Sequence, residues 1–345
     1  MTGSITLFLA ALAAAPSSHV TASIVFEVAD SLGGCAVADV DPDRGGNEIV
    51  VTSGKGIVYV LYPGGELPWK SEIVLRSPGE MIQVAAGDAD PSRPGNEIVA
   101  VGMAEGPESD AGPGAARLVY KEGGAWKSSA IFEEDALVHG VGIGDAGVFV
   151  TGYDGMVHLL RPRKGGAFET VSSAAIPGNG KAALAIAGGA WVACTDGSLV
   201  KVTAGDDGRL ATAVADKRDS GRARLATDGA RVLVCDDDGT LSLVGATGRR
   251  EIFREAGGKK LRGAVLADLD PRSPGLEAAT TGYSGKVTVL YPRTEGAAPA
   301  TEYAPFVLFS DRAGFHHAAA GDLDGLPGDE LVVCGLAGRV IVFRF

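Results

Sequence analysis

Seven copies of one unit run along the chain, and this repetition limits the fold more than any other feature. Each copy carries a run of small residues that ends in a short loop, most often at an Asp. The copies read CAVADVDPDRGGNEIVV from Cys35, IQVAAGDADPSRPGNEIVAV from Ile82, HGVGIGDAGVFVTG from His139 and KAALAIAGGAWVAC from Lys181. They continue as RARLATDGARVLVC from Arg222, RGAVLADLDPRSPGLEAAT from Arg262 and HHAAAGDLDGLPGDELVVC from His316. The anchors Asp39, Asp88, Asp145, Gly188, Asp228, Asp268 and Asp322 lie 40 to 57 residues apart. That period suits a propeller blade of four strands.

Each unit parses alike. A small-residue strand enters the Asp loop, and a second strand follows, such as Glu48–Thr52. A tight glycine hairpin comes next, for example Tyr153-Asp154-Gly155 or Tyr283-Ser284-Gly285. Such pairs between apolar runs signal hairpins. A third strand and a more polar fourth close the unit. The 51 Gly and 17 Pro leave few segments on which a helix could form, because both residues are costly inside one. The chain stops after the third strand of copy seven. The segment Ser23–Val28, SIVFEV, precedes copy one and has the pattern of the missing fourth strand. It is expected to pair with Arg339–Phe343 and close the ring, which hides a free sheet edge. The fold class is therefore all-β: a single seven-bladed propeller over residues 23–345.

Residues 1–22 read as a secretory leader. The apolar run Ile5–Ala15 is too short to span a membrane, and Val20-Thr21-Ala22 offers a small-residue cleavage site. No Lys or Arg occurs before Arg44. The expectation is an exported monomer with no transmembrane segment. With 31 basic against 43 acidic side chains, net −12, the chain lacks the basic stripe that nucleic acid requires. Four Cys do not make a disulfide framework; Cys194, Cys235 and Cys334 share one slot as small buried fillers.

The loops at 86–101 and 320–335 resemble FG-GAP or VCBS repeats of integrin-like and bacterial exported propellers. The resemblance runs over residues 23–345 and is strongest in copies one, two, six and seven. It implies a structural calcium ion held by oxygens at loop positions one, three, five and nine. Those positions are Asp39, Asp41, Asp43 and Asn47 in copy one, and Asp88, Asp90, Ser92 and Asn96 in copy two. Copy seven offers Asp322, Asp324 and Glu330 but has Leu326, and copy six has Arg272 and Leu276. The alternative is that these Asp side chains accept hydrogen bonds from their own turns.

Alternating strands send the hairpins, and the start of each first strand, to the face opposite the Asp loops. The starting residues are Gly33, Ile82, His139, Lys181, Arg222, Arg262 and His316, with His317 beside them. Hairpins add Tyr153, Asp196 and Tyr283. This basic cluster around one channel mouth suits an anionic or polyhydroxylated ligand. His139, His316, Tyr283 and Arg262 are the candidate catalytic groups, because His and Tyr can move protons and Arg can neutralise a carboxylate. Lys181, Arg222, Tyr153, His317 and Asp196 are the candidate substrate contacts. Two or three of the histidines could instead hold a transition metal. Two functions stay open: a propeller that binds a sugar or polysaccharide, acting as a carbon–oxygen lyase or keto-sugar dehydratase, or a non-catalytic module for a protein partner or carbohydrate.

Overall fold

The structure is a computed structural model that describes residues 20–64, 69–109, 112–293 and 302–345. Seven four-stranded antiparallel sheets are arranged around an axis. The innermost strands are Leu32–Ala38, Met81–Gly87, Val138–Gly144, Gly180–Ile186, Arg222–Thr227, Leu261–Ala267 and Phe315–Gly321. In six blades the four strands pair in chain order. The seventh takes its outer strand, Thr21–Glu27, from the other end of the chain. It pairs antiparallel with Arg339–Arg344, with Ser23 opposite Val342 and Glu27 opposite Arg339. Val25 is buried there in a cluster with Leu32 and Ile49 of blade one and Val332 of blade seven. Thr21 and Ala22 belong to this strand, opposite Arg344 and Phe343. Residues 1–19 of the expected leader lie outside the described residues.

Small residues occupy the inner strands because backbones approach closely there. A Cβ on Gly140 would sit 2.7 Å from the Ala182 Cα, and one on Gly142 would sit 2.7 Å from the Ala185 nitrogen. Second and third strands are almost wholly buried, as in Glu48–Ser53 and Ile57–Tyr62, and their Val, Ile and Leu fill the spaces between blades. Outer strands are largely exposed, as in Leu210–Lys217. Gly155 and Gly285 close their hairpins at φ 74° and 73°, a conformation that other residues enter only with strain. The sole helical turn among the described residues is Ala256–Gly258.

The Asp loops are held by a residue of the second strand. Glu97 Oε2 accepts the Ala89 and Asp90 amides at 2.9 and 3.0 Å, and Glu48 and Glu277 do the same in their blades. These carboxyls are buried, which pushes them above the usual carboxylate range. Asn96 and Asn47 reach across to the neighbouring blades and donate to the carbonyls of Asp39 and Asp322. Glu97→Ala is expected to cost about 1–3 kcal/mol, because it strands two buried amides. Glu97→Gln keeps an acceptor oxygen and should cost less than half as much. Chemical denaturation of both variants measures the difference.

Candidate functional site

A β-bulge repeats at one place in the inner strands and shapes the mouth. The register slips between Met81 and Gln83, Val138 and Gly140, Gly180 and Ala182, Leu261 and Gly263, and Phe315 and His317. The extra residues are therefore Ile82, His139, Lys181, Arg262 and His316. A bulge re-aims the side chain it carries. In blade five the slip falls between Arg222 and Arg224, so the extra residue is Ala223.

The bulged residues form two linked groups. His139 stacks on Tyr153 with ring centroids 6.0 Å apart, and its Nδ1 lies 2.8 Å from the Lys181 carbonyl. Gln83 Nε2 donates to the same carbonyl at 2.7 Å. Across the mouth, the Arg262 guanidinium lies 4.9 Å from the Tyr283 ring centroid, and Tyr283 is 5.5 Å from His316. Arg262 also donates to Asp237 at 2.5 Å. Beneath them, Gln83, Arg224, His317 and Cys35 line a central cavity of about 300 Å³ whose other walls are aliphatic residues and Gly142.

The field at this site is cationic. Burial depresses Lys181, and Arg262 and Arg224 depress it further while Asp237 opposes them. Burial, then Arg224 and Arg262, brings His316 down to about 4. Burial and Arg224 bring His317 down to about 3, and His139 also falls well below the ordinary imidazole value. All three rings are neutral at pH 7. Arg224 is buried, donates Nη1 to the Ala223 carbonyl at 2.9 Å, and has an Nε with no acceptor. Burial and the Arg262 charge lower it to about 10. The long second-blade connection brings Glu108 within electrostatic reach of Arg224.

Several expected site residues lie elsewhere. Arg222 is not at the mouth. Its in-register pairing with Asp236 turns it into the wall between blades four and five, where it is fully buried, bonds Asp216 and the Gly197 carbonyl, and faces Asp236 at 3.6 Å. Arg224 takes the channel position instead. Asp196 is engaged by Lys217 and Ser198 in the blade-four hairpin. His139, His316 and His317 do not converge as metal ligands. Among the described residues, the groups spaced to hold an ion are Glu134, Asp154 and His158, and Asp322, Asp324 and Glu330. A cation would also meet Arg224, Arg262 and Lys181 at the mouth.

On the opposite face, the buried loop carboxylates of blades one and two have cationic partners of their own. Lys121 Nζ lies 2.6 Å from Asp41 Oδ1 and 3.1 Å from Asp43 Oδ2. Asp90 accepts from Ser92 and Arg93, while Asp39 and Asp88 are exposed. The Lys121 ammonium and the Arg93 guanidinium compensate part of the negative charge of these loops. An open cavity of about 430 Å³ lies between the loops of blades one and seven, lined by Asn47, Glu48, Asp322 and Asp324. The four cysteines are buried and free. No helix among the described residues is long and apolar enough to cross a membrane.

No family model matches the chain, and no curated protein matches it. The FG-GAP/VCBS likeness therefore rests on the loop motifs alone. Solved structures do match. The WD40 β-propeller domain of Doa1 aligns with a TM-score of 0.66 at 13% identity, over 94% of this chain and 97% of that one. A streptogramin B lyase aligns at 0.65 and 12% identity, over 94% and 97%. Virginiamycin B lyase from Staphylococcus aureus aligns at 0.63 and 11% identity, over 95% and 99%. At such identities the likeness is one of fold.

Proposed function

We propose that the channel mouth binds a carboxylate-bearing, polyhydroxylated ligand of the uronate class. One observation carries this reading: Arg224 is buried beside Arg262 and Lys181, yet its Nε has no acceptor and no carboxylate among the described residues forms an ion pair with it. A buried guanidinium without a counter-charge is costly, and a ligand carboxylate would supply that charge and an acceptor for Nε. The cavity below, apolar with a few polar groups at its roof, has the make-up of a ligand site. The reading keeps the exported placement inferred from the apolar run at Ile5–Ala15.

A second reading adds elimination chemistry, favoured by the contact of Tyr283 with both Arg262 and His316. Arg224 and Arg262 would neutralise the carboxylate and so acidify the adjacent C–H. A neutral His316 would take that proton, the C–O bond at the β-carbon would break, and the Tyr283 hydroxyl would give its proton to the departing oxygen. Two of the solved structures of like fold bear the name lyase, which agrees with this chemistry on such a scaffold.

Calorimetric titration with galacturonate and short oligouronates tests the binding. Arg224→Met is expected to weaken it by about 10–100-fold, the worth of hydrogen bonds to a charged group. Ultraviolet absorbance of a new conjugated double bond reports elimination. Binding without that absorbance supports a non-catalytic module, and no uronate binding at millimolar concentration removes the proposal.

A further inference from the structure

Behind the Tyr153 hairpin, on the same face as the mouth, three ligating side chains from two blades meet. Glu134 ends the outer strand Ala125–Glu134 of blade two. Asp154 lies in the blade-three hairpin, and His158 in the third strand Met156–Pro162. His158 Nε2 is 2.8 Å from Asp154 Oδ2 and 3.6 Å from Glu134 Oε2. Candidate ligand atoms of all three lie within 4.8 Å of one another. The histidine is only 8% exposed, and its ring packs on Phe132 at 4.7 Å between centroids.

Two further features separate this cluster from an ordinary surface ion pair. The His158 Nδ1 is fixed by the Ser173 hydroxyl at 2.7 Å, so the ring is oriented with Nε2 towards the carboxylates. Glu134 Oε1 is buried and has no hydrogen-bond partner. Two half-buried carboxylates thus touch, with no Lys or Arg among the described residues paired to them. Asp154 Oδ1 accepts the Met156 amide, which leaves Oδ2 facing the histidine.

We infer that Glu134, Asp154 and His158 bind a divalent first-row transition-metal ion of the zinc class. One imidazole and two carboxylates supply three ligands, the number that leaves a fourth tetrahedral position open. With an ion on Nε2 the ring proton of His158 sits on Nδ1 and is donated to the Ser173 hydroxyl, the outer-sphere support common to metal-bound histidine. The ion neutralises the two carboxylates and occupies the unused oxygen of Glu134. It also ties the outer strand of blade two to the hairpin of blade three. That hairpin carries Tyr153, which stacks on His139, so the bound ion steadies one wall of the mouth.

Titration of the chelator-treated full chain with Zn²⁺ is expected to show one saturable equivalent and a rise in Tm. Titration with Co²⁺ should give the visible absorbance of a tetrahedral site. Asp154→Asn and His158→Gln should lose the equivalent. Ser173→Ala removes no ligand and leaves the core intact, and should lower affinity by about tenfold or more. This variant decides the matter if the ligand variants fold poorly, because a purely structural His–Asp pair has no metal titration for it to change. Absence of a 1:1 Zn²⁺ isotherm in the wild type overturns the proposal, as does unchanged affinity in Ser173→Ala. Uronate binding measured in chelator stands apart from this result, so failure at either site is visible separately.

Discussion

Arg222→Ala is expected to destabilise the protein by about 3–5 kcal/mol without touching the channel, because it leaves two carboxylates inside a blade interface without their guanidinium. Arg222 is 0% exposed, and so is Asp236. The guanidinium bonds Asp216 of blade four, lies 3.6 Å from Asp236 Oδ1 and donates Nε to the Gly197 carbonyl at 2.8 Å. Asp236 retains Arg218 at 3.3 Å, which holds the loss near that range. The double variant Arg222→Met with Asp236→Asn removes both charges and keeps the volume. It should lose markedly less than the sum of the two single changes, since an apolar replacement of a buried pair is often close to neutral. Denaturant midpoints for the four proteins of the cycle test this. An Arg222→Ala loss below about 1 kcal/mol would place the residue in solvent and contradict its burial.

The same residue shows where sequence reading stops. Arg222 and Arg224 are two apart in an inner strand, and both are basic residues near its start. Which one faces the channel depends on a single bulged residue, Ala223, and a bulge leaves no mark in the pattern of small residues. His139, Lys181, Arg262 and His316 were legible because each is itself the bulged residue of its strand. Ring closure was legible for a different reason. A propeller with a three-stranded last blade needs a partner, and Ser23–Val28 was the one unassigned run with the right alternation.

The Asp loops pose the opposite problem. Local spacing marked Asn47 and Asn96 as candidate ion ligands and hid their other role, in which each Nδ2 donates to a carbonyl of the neighbouring blade, 275 residues away in the first case. No local spacing carries that distance. The Glu that closes each loop was in plain view in the NEIV and DELV runs, yet its role appears only when the amides it bonds are placed. The Glu134 group was missed likewise, because it joins the end of one blade to the hairpin of the next.

Acidification is the second large effect, and its sign follows from the mouth histidines. In the unfolded chain a histidine takes its proton near pH 6.5. In the folded protein His316 does so at about 4 and His317 at about 3, because both are buried and face Arg224. Between these limits the unfolded state binds more protons, so this contribution is intact above pH 6.5 and is lost as pH falls towards 4. At pH 4.5 the loss is on the order of 2–3 kcal/mol for each ring. Buried carboxyls act with the reverse sign: Asp236, raised to about 7, and Glu134, raised to about 8, favour the folded state as pH falls. The whole-protein profile therefore mixes both, and the histidine part is read by difference. The variant with His316→Gln and His317→Gln carries every carboxyl but neither ring. Its stability relative to the wild type should improve by several kcal/mol between pH 7 and pH 4.5, measured from denaturant midpoints at both. A relative stability that stays constant across this interval would mean the rings are solvated and protonate normally, and the mouth would then lack the dry cationic field on which ligand binding depends.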